Sequence, residues 1–278
     1  PRGGHRPRRP PPPLGEASRV LQLGGGLHHA RRRLASGFCL YNDLALAIPE
    51  MVAAGWHVAY LDLDAHHGDG VQEIFYSSDR VMTLSLHESG EYLFPGTGWV
   101  HELGRGMGRG LKLNLPLEPF TEGDSYLEVL EEVAVPALTW FRPDALVVQA
   151  GADPHWADPL ADLMLTTRDF ERIYRLVVRL AGETAGGRLL VTLGGGYCRQ
   201  ATPRVWAVLY HVLAGLALPE ELPPRWRRRW RREAERELPA TLHDPPDPYP
   251  GIPRRAEIVR LNRQLAQRLL DAVAGDWL

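Results

Sequence analysis

The chain has 278 residues, 44% of them hydrophobic and 24% charged, with a formal net charge of −2, which fits one globular domain with a sizeable core and excludes a fibrous or wholly disordered chain. That balance gives no global attraction to nucleic acid or to an anionic membrane. No apolar run reaches the roughly 18 residues of a spanning helix, no signal-peptide order is read at the start, and the only cysteines are Cys39 and Cys198, so a reducing, cytoplasmic setting is expected.

In chain order, residues 1–18 are rich in Pro, Arg and Gly and lack the apolar side chains that would offset the entropy of ordering, so they read as a disordered tail ahead of one domain at 19–278. A helical period over 41–54 is followed by apolar strand-like runs at 57–63 and 81–86. Next come a helix at 123–140, a strand at 145–150 and a helix at 167–185, for which Thr166 or Thr167 with Asp169 offers a start. A strand at 189–193 and a helix at 203–217 complete the alternation. Strands alternating with helices predict an α/β fold: a parallel sheet with helices on both faces, in three layers.

Residues 219–278 read as a C-terminal helical extension with an Arg-rich run at 225–232, a loop at 243–253 and an amphipathic helix at 254–274. Trp226 and Trp230 share a helix face at i, i+4. The run reads either as a basic aromatic patch for an acidic or nucleic-acid partner, or as a helix whose tryptophans dock on the domain while its arginines face water, balanced by Glu233, Glu235 and Glu237. The second reading is preferred, and no nucleic-acid or membrane partner is expected.

Ligand sites in such sheets lie beyond the carboxyl ends of the strands. There the segment 62–69 crowds Asp62, Asp64, His66, His67 and Asp69 into eight positions, a costly burial without a purpose. Side chains at i and i+2 of an extended segment share a face, so Asp64 and His66 converge on one point and Asp62 continues the row. With Asp153, at the end of another strand, they make three ligands and leave one position open, the pattern of a catalytic zinc. Taken singly, each of these residues reads as part of a hydrogen-bond network at a strand end; the set becomes chemical only with His28, His29, Asp69 and Tyr197 on the same edge.

The strings GGGLHHA (24–30), SGFCLYND (36–43), YLDLDAHHGDGVQEIFY (60–76), VMTLSLH (81–87), FPGTG (94–98), GADPHWADPL (151–160) and LGGGY (193–197) resemble the histone deacetylase superfamily, in order and at compatible spacing. The match runs over roughly residues 24–210, and DPLADLMLT (158–166) with the C-terminal segment is most similar to the bacterial acetoin-utilization branch. The resemblance implies an arginase/deacetylase-like fold and a zinc-dependent hydrolysis of an acetyl-lysine-type amide. It makes Asp64, His66 and Asp153 the zinc ligands, with iron(II) also suited to that donor set. It makes His28 and His29 the tandem histidines, backed by Asp62 and Asp69 respectively, with His29 as general base and His28 as electrostatic support. Tyr197, presented by the glycines that include Gly195, is the hydrogen-bond donor to the substrate carbonyl. Gly37, Phe38 and Phe94 are the walls that grip the acyl-lysine stem. Main-chain oxygens around Asp62, Asp64, His66, Ser85 and Leu86 imply a structural monovalent-cation site, potassium being expected.

The expected substrate is an acetylated protein. The alternatives are a small acetylated amine such as an acetylpolyamine, with Glu88 and Glu91 as acidic groups at the pocket mouth, and a catalytically silent acyl-recognition module. Cys39 and Cys198 read as buried packing, and His87, His101 and His155 carry no assignment. Relatives place strands ahead of the tandem histidines that this chain lacks, so a fragment or a trimmed domain is expected. The strand at 57–63 is then expected to have an unpaired edge, and the chain to be poorly soluble or weakly active. The oligomeric state is not read from the sequence.

Overall fold

A computed structural model describes residues 18–234 and 238–277; all but the last residue of the expected tail, together with Glu235 and Glu237, lie outside the described residues. The elements run β1 (Arg19–Gln22), α1 (Asp43–Ala53), β2 (Val58–Asp62), α2 (Asp69–Phe75), β3 (Val81–Glu88), β4 (Lys112–Leu117), α3 (Gly123–Phe141), β5 (Ala145–Gln149), α4 (Thr167–Thr184), β6 (Leu189–Thr192), α5 (Thr202–Ala214), α6 (Pro224–Trp230) and α7 (Arg255–Trp277). The six strands form one sheet in the order β1-β6-β5-β2-β3-β4, and every pairing is parallel.

The period-two alternation of the strands sorts their side chains into two cores. Val58 and Tyr60 of β2, Val81 of β3 and Val147 of β5 pack against Leu44 and Ile48 of α1 and Val71 and Phe75 of α2. Ala59 and Leu61, Met82 and Leu84, and Leu146 and Val148 face the opposite way, into the larger core built with α3, α4, α5 and α7. This is the expected three-layer sandwich, and the expected elements are present with ends shifted by a few residues. Thr166 is the cap of α4: its hydroxyl accepts from the Asp169 N–H while the Asp169 carboxylate accepts from the Thr166 N–H, a reciprocal box that stabilises a helix start by about 1 kcal/mol. The helix at the C-terminus belongs to the main core, because Leu265, Ala266, Leu269 and Val273 of α7 are buried there.

One expectation is overturned. The strand at 57–63 has no free edge: β2 lies mid-sheet, with β5 on one side and β3 on the other, and all five of its residues are buried. Its unbroken run of apolar residues is what a central parallel strand requires. Among the described strands the sheet ends at β1, a four-residue strand with mostly exposed side chains, and at β4, which α7 covers. β1, β4 and α2 escape sequence reading for local reasons: β1 is short and half polar, and β4 (KLNLPL) interrupts its apolar pattern with Lys112, Asn114 and Pro116, a proline that only an edge strand accommodates. α2 hides inside the polar motif that follows β2.

Lys112, the single lysine of the chain, is fully buried on β4, and its Nζ donates to the carbonyls of Val81 at 2.6 Å, Ser78 at 3.2 Å and Leu111 at 3.3 Å. Burial pushes its pKa down from 10.5 to about 7, with Asp79 opposing. Lys112→Met takes the donor from three carbonyls and is expected to lower stability at pH 7 by about 1–3 kcal/mol. Between about pH 7 and 10.5 the unfolded chain binds more protons at Lys112 than the folded one, so wild-type stability rises through that window relative to the variant. Urea unfolding of both proteins at pH 7 and pH 9 reads the gap; a gap that stays constant or narrows contradicts the assignment.

Candidate metal centre and active site

The parallel register brings Asp62 of β2 level with Ser85 of β3 and Gln149 of β5, so the strand ends form one rim. The chain leaves β2 through Asp64 and His66 and leaves β5 through Asp153, and all three side chains are buried. Their ligand atoms lie within 4.8 Å of one another. His66 Nδ1 faces Asp64 Oδ1 at 3.0 Å and Asp153 Oδ2 at 3.1 Å. Gln149, which sequence reading missed because it ends an apolar strand, fixes the free side of this group. Its Nε2 donates to Asp64 Oδ2 at 3.0 Å and its Oε1 accepts the Gly151 N–H at 2.6 Å.

The electrostatics favour a cation at this point. Burial and the neighbouring Asp64 charge push Asp153 up to about 7. Burial would also raise Asp64 and lower His66, but their mutual contacts, with His28 and Asp153, hold Asp64 well below the usual carboxylate range and push His66 up to about 11. Two buried carboxylates and one imidazole therefore converge on a volume that suits a divalent ion, and their oxygen–nitrogen donor set fits zinc or iron(II). There is no room for a larger residue at Gly195, whose φ is +71° and where an added Cβ would stand 2.0 Å from Asp64 Oδ2.

His28 and His29 stand beside the triad with ring centroids 3.9 Å apart. Each is held by its own carboxylate: His28 Nδ1 to Asp62 Oδ2 at 2.8 Å, and His29 Nδ1 to Asp69 Oδ1 at 2.7 Å. The two carboxylates are themselves anchored differently. Asp62 accepts from the Tyr60 hydroxyl at 2.6 Å, whereas Asp69 pairs with Arg31 at 2.7 Å. His28 also lies 3.8 Å from Asp64. Burial works against its proton, yet Asp62 and Asp64 prevail and raise it to about 9. His29 is lowered, by burial and by its charged neighbour His28. Two identical side chains are thus shifted in opposite directions, His28 upward by Asp62 and Asp64 and His29 downward by burial and His28.

The loop carrying them is clamped by the start of α1, another feature without a sequence signal of its own. Asn42 caps α1 by accepting from the Ala45 N–H and donates to the carbonyls of His28 and Ala30 at 3.2 and 3.0 Å. Asp43 accepts the Gly26 and Leu27 N–H groups at 3.0 and 2.8 Å. Gly37, at φ +51°, lies flat against His29, and a Cβ there would approach the ring to 2.3 Å. Phe94 meets the His29 ring edge-on at 5.1 Å, and Phe38, 85% exposed, lies 6.2 Å from the Tyr197 ring. Together these residues frame an aromatic approach to the paired histidines.

Several expected assignments are placed elsewhere. Glu88 is buried and its Oε2 accepts the Asp162 N–H at 2.7 Å, so it is no pocket-mouth carboxylate; Glu91 is exposed. Cys39 is buried, but Cys198 is only half-buried. Trp226 packs on the main core, whereas Trp230 remains 42% exposed. His155 has a structural contact: its Nε2 meets Asp244 Oδ2 at 3.0 Å, and Asp244 also pairs with Arg204 at 2.8 Å, tying the C-terminal segment to the loop of Asp153. His87 is buried against Ser85 and the Gly98 carbonyl.

Asp158 is the most informative residue that sequence reasoning passed over. It lies five positions beyond Asp153 in the same loop, and its carboxylate accepts the Tyr197 N–H at 2.7 Å and the Leu160 N–H at 3.0 Å. One loop therefore provides a metal-site carboxylate and fixes the backbone that presents Tyr197. Asp158→Ala is expected to lower kcat by about 10–100-fold, leaving KM and metal affinity near wild type. Asp158→Asn keeps an acceptor oxygen and should lie between the two. Steady-state kinetics with metal titration measure both quantities, and a parallel loss of metal affinity would contradict this role.

A family model described as the histone deacetylase domain matches residues 14–213. The acetoin utilization protein AcuC of Bacillus subtilis (strain 168) is 44% identical over 264 residues, covering 94% of this chain and 68% of that protein. The AcuC protein of Staphylococcus xylosus is 39% identical, covering 92% of this chain and 67% of that protein. The crystal structure of an HDAC homolog complexed with SAHA is 33% identical with a TM-score of 0.76, covering 87% of this chain and 66% of that one. The chain thus spans about two thirds of the length of these relatives. With a family domain over most of its length, and with its motif residues gathered on one rim of the sheet, the chain belongs to the histone deacetylase family, of the acetoin utilization type.

Proposed function

We propose that the chain is a metal-dependent deacetylase that hydrolyses the acetyl-lysine amide of protein substrates in the cytoplasm. The observation that carries this reading is the meeting of the Asp64, His66 and Asp153 ligand atoms within 4.8 Å, beside two histidines that each have a private carboxylate. Zinc, or iron(II), held by these three residues would polarise the scissile carbonyl and make water acidic enough to attack near neutral pH. A potassium ion held by main-chain oxygens around Asp62, Asp64, His66, Ser85 and Leu86 would stabilise the same strand ends.

The residues of the chain supply the rest. His29, whose pKa is lowered by burial and by His28 and whose ring is oriented by Asp69, takes a proton from the attacking water at its free Nε2 and delivers it to the amine as the carbon–nitrogen bond breaks, giving acetate and lysine. His28, which Asp62 and Asp64 raise to about 9 against burial, supports the negative charge that develops on the carbonyl oxygen. Tyr197 donates its hydroxyl to that oxygen; burial and the carboxylates Asp153 and Asp64 keep the proton in place. Gly37, Phe38, Phe94 and Gly195 shape the channel for the acyl-lysine stem. The buried position of Glu88 removes one of two carboxylates that a cationic acetylpolyamine would need, which favours the protein substrate.

Hydrolysis of an acetyl-lysine peptide, followed as acetate release, is expected to stop with a chelator and return on addition of zinc or iron(II). His29→Ala should lower kcat by about 10²–10⁴-fold with metal binding retained. Activity that survives removal of the metal would overturn the mechanism. Turnover of acetylpolyamine above that of every peptide would replace the substrate, and metal binding without any turnover would indicate an acyl-recognition module.

A further inference from the structure

The arginine-rich segment around α6 takes no part in this chemistry, and its surroundings are not those of a plain solvated helix. No residue of α6 is buried. Residues 225–232 carry Arg225, Arg227, Arg228, Arg229, Arg231 and Arg232. The Arg229 guanidinium lies 5.3 Å over the exposed Trp230 ring, within cation–π range. Between α6 and the start of α5 is an apolar cavity of about 520 Å³, walled by Tyr197, Cys198, Trp206, Trp226, Trp230 and Leu238.

Oγ1 of Thr202, which lines the cavity and is 7% exposed, lacks a hydrogen-bond partner. Buried donors and acceptors are normally satisfied, and this hydroxyl is open to a polar group that enters the cavity. A concavity walled by indoles, with Arg199 and Glu233 in its lining, has the composition of a protein–protein hot spot. The arginines of 225–232 on the adjoining segment repel a polyamine and attract carboxylates. The wall of the cavity is also the wall of the candidate active site, since Tyr197 belongs to both. A chain that presents acetyl-lysine to Tyr197 brings its neighbouring residues within reach of this cavity, at about 3.3 Å per extended residue. That continuity favours a peptide over a nucleic acid.

We propose that the groove between α5 and α6 docks an apolar side chain of a protein substrate, set in an acidic stretch next to the acetylated lysine. This deepens the deacetylase reading and rests on it. The groove acts on substrate capture, so its contribution falls on KM and fades with salt.

The test uses the full chain and two variants, Trp230→Ala and the double Arg228→Glu/Arg229→Glu, all three positions being exposed. Acetyl-lysine peptides carry one phenylalanine, moved stepwise along an acidic or a basic background, and a flankless acetyl-lysine substrate serves as reference. The wild type is expected to prefer one acidic register by about tenfold in kcat/KM, through KM, and to lose this preference at high salt. Both variants should lose the preference while turnover of the flankless substrate stays within about twofold. Fluorescence anisotropy with a labelled acidic phenylalanine peptide reads docking separately from turnover. If no peptide is hydrolysed, the deacetylase reading fails, and binding that both variants weaken still supports the groove. The proposal is overturned if no register is preferred and no acidic peptide binds, if the variants lose flankless turnover equally, or if a single-stranded oligonucleotide displaces the peptide at lower concentration than the unlabelled peptide does.

Discussion

Everything in the centre of this protein follows from two carboxylates buried side by side. Asp64 and Asp153 present oxygens within 4.8 Å of each other and of His66, where two like charges repel by about 3.5 kcal/mol at an effective dielectric of about 20. Burial and that repulsion together push Asp153 up to about 7. A fold maintains such an arrangement when something positive belongs between the charges. The surrounding contacts all serve to hold the pair there: Gln149 donates to one carboxylate, the Ala65 N–H donates to the other at 2.9 Å, and Gly195 leaves the space that any side chain would fill.

The same local field separates the paired histidines. Both are buried and both have a carboxylate at Nδ1 within 2.8 Å, so hydrogen bonding alone would not distinguish them. His28 additionally faces Asp64 at 3.8 Å, whereas Asp69 shares its charge between His29 and Arg31. Asp62 and Asp64 together raise the pKa of His28, and His28 with burial lowers that of His29. The division of labour is electrostatic, and it needs no difference in residue type.

The rim works as a unit because each loop does two jobs. The loop after β5 carries Asp153 and, through Asp158, sets the backbone of Tyr197. The start of α1 caps its own helix and grips the histidine loop through Asn42 and Asp43. The buried Arg204–Asp244–His155 network fastens the C-terminal segment beneath the Asp153 loop. The chain after α5 therefore braces the candidate metal centre in addition to adding the Arg/Trp surface.

The sequence by itself determined the alternation of strands and helices, the three-layer class, and the identity of the residues on the rim. Each of these depends on local pattern: apolar period, the i, i+2 geometry of Asp64 and His66, and glycines beside a tyrosine. The tertiary structure decided what depends on neighbours far along the chain. It placed β2 in the middle of the sheet, because strand order is set by which buried faces meet. It added β1, β4 and α2, whose short or polar sequences become strand or helix only against a partner. It buried Glu88, which sequence position alone had put at the pocket mouth. It also gave Gln149, Asn42, Asp43 and Asp158 their roles, since a polar side chain shows its acceptor or donor only once the chain has folded back on it. The opposite pKa shifts of His28 and His29 belong to this second group, for they arise from Asp62, Asp64 and burial, and Asp64, 3.8 Å from His28, is 36 positions away in the chain.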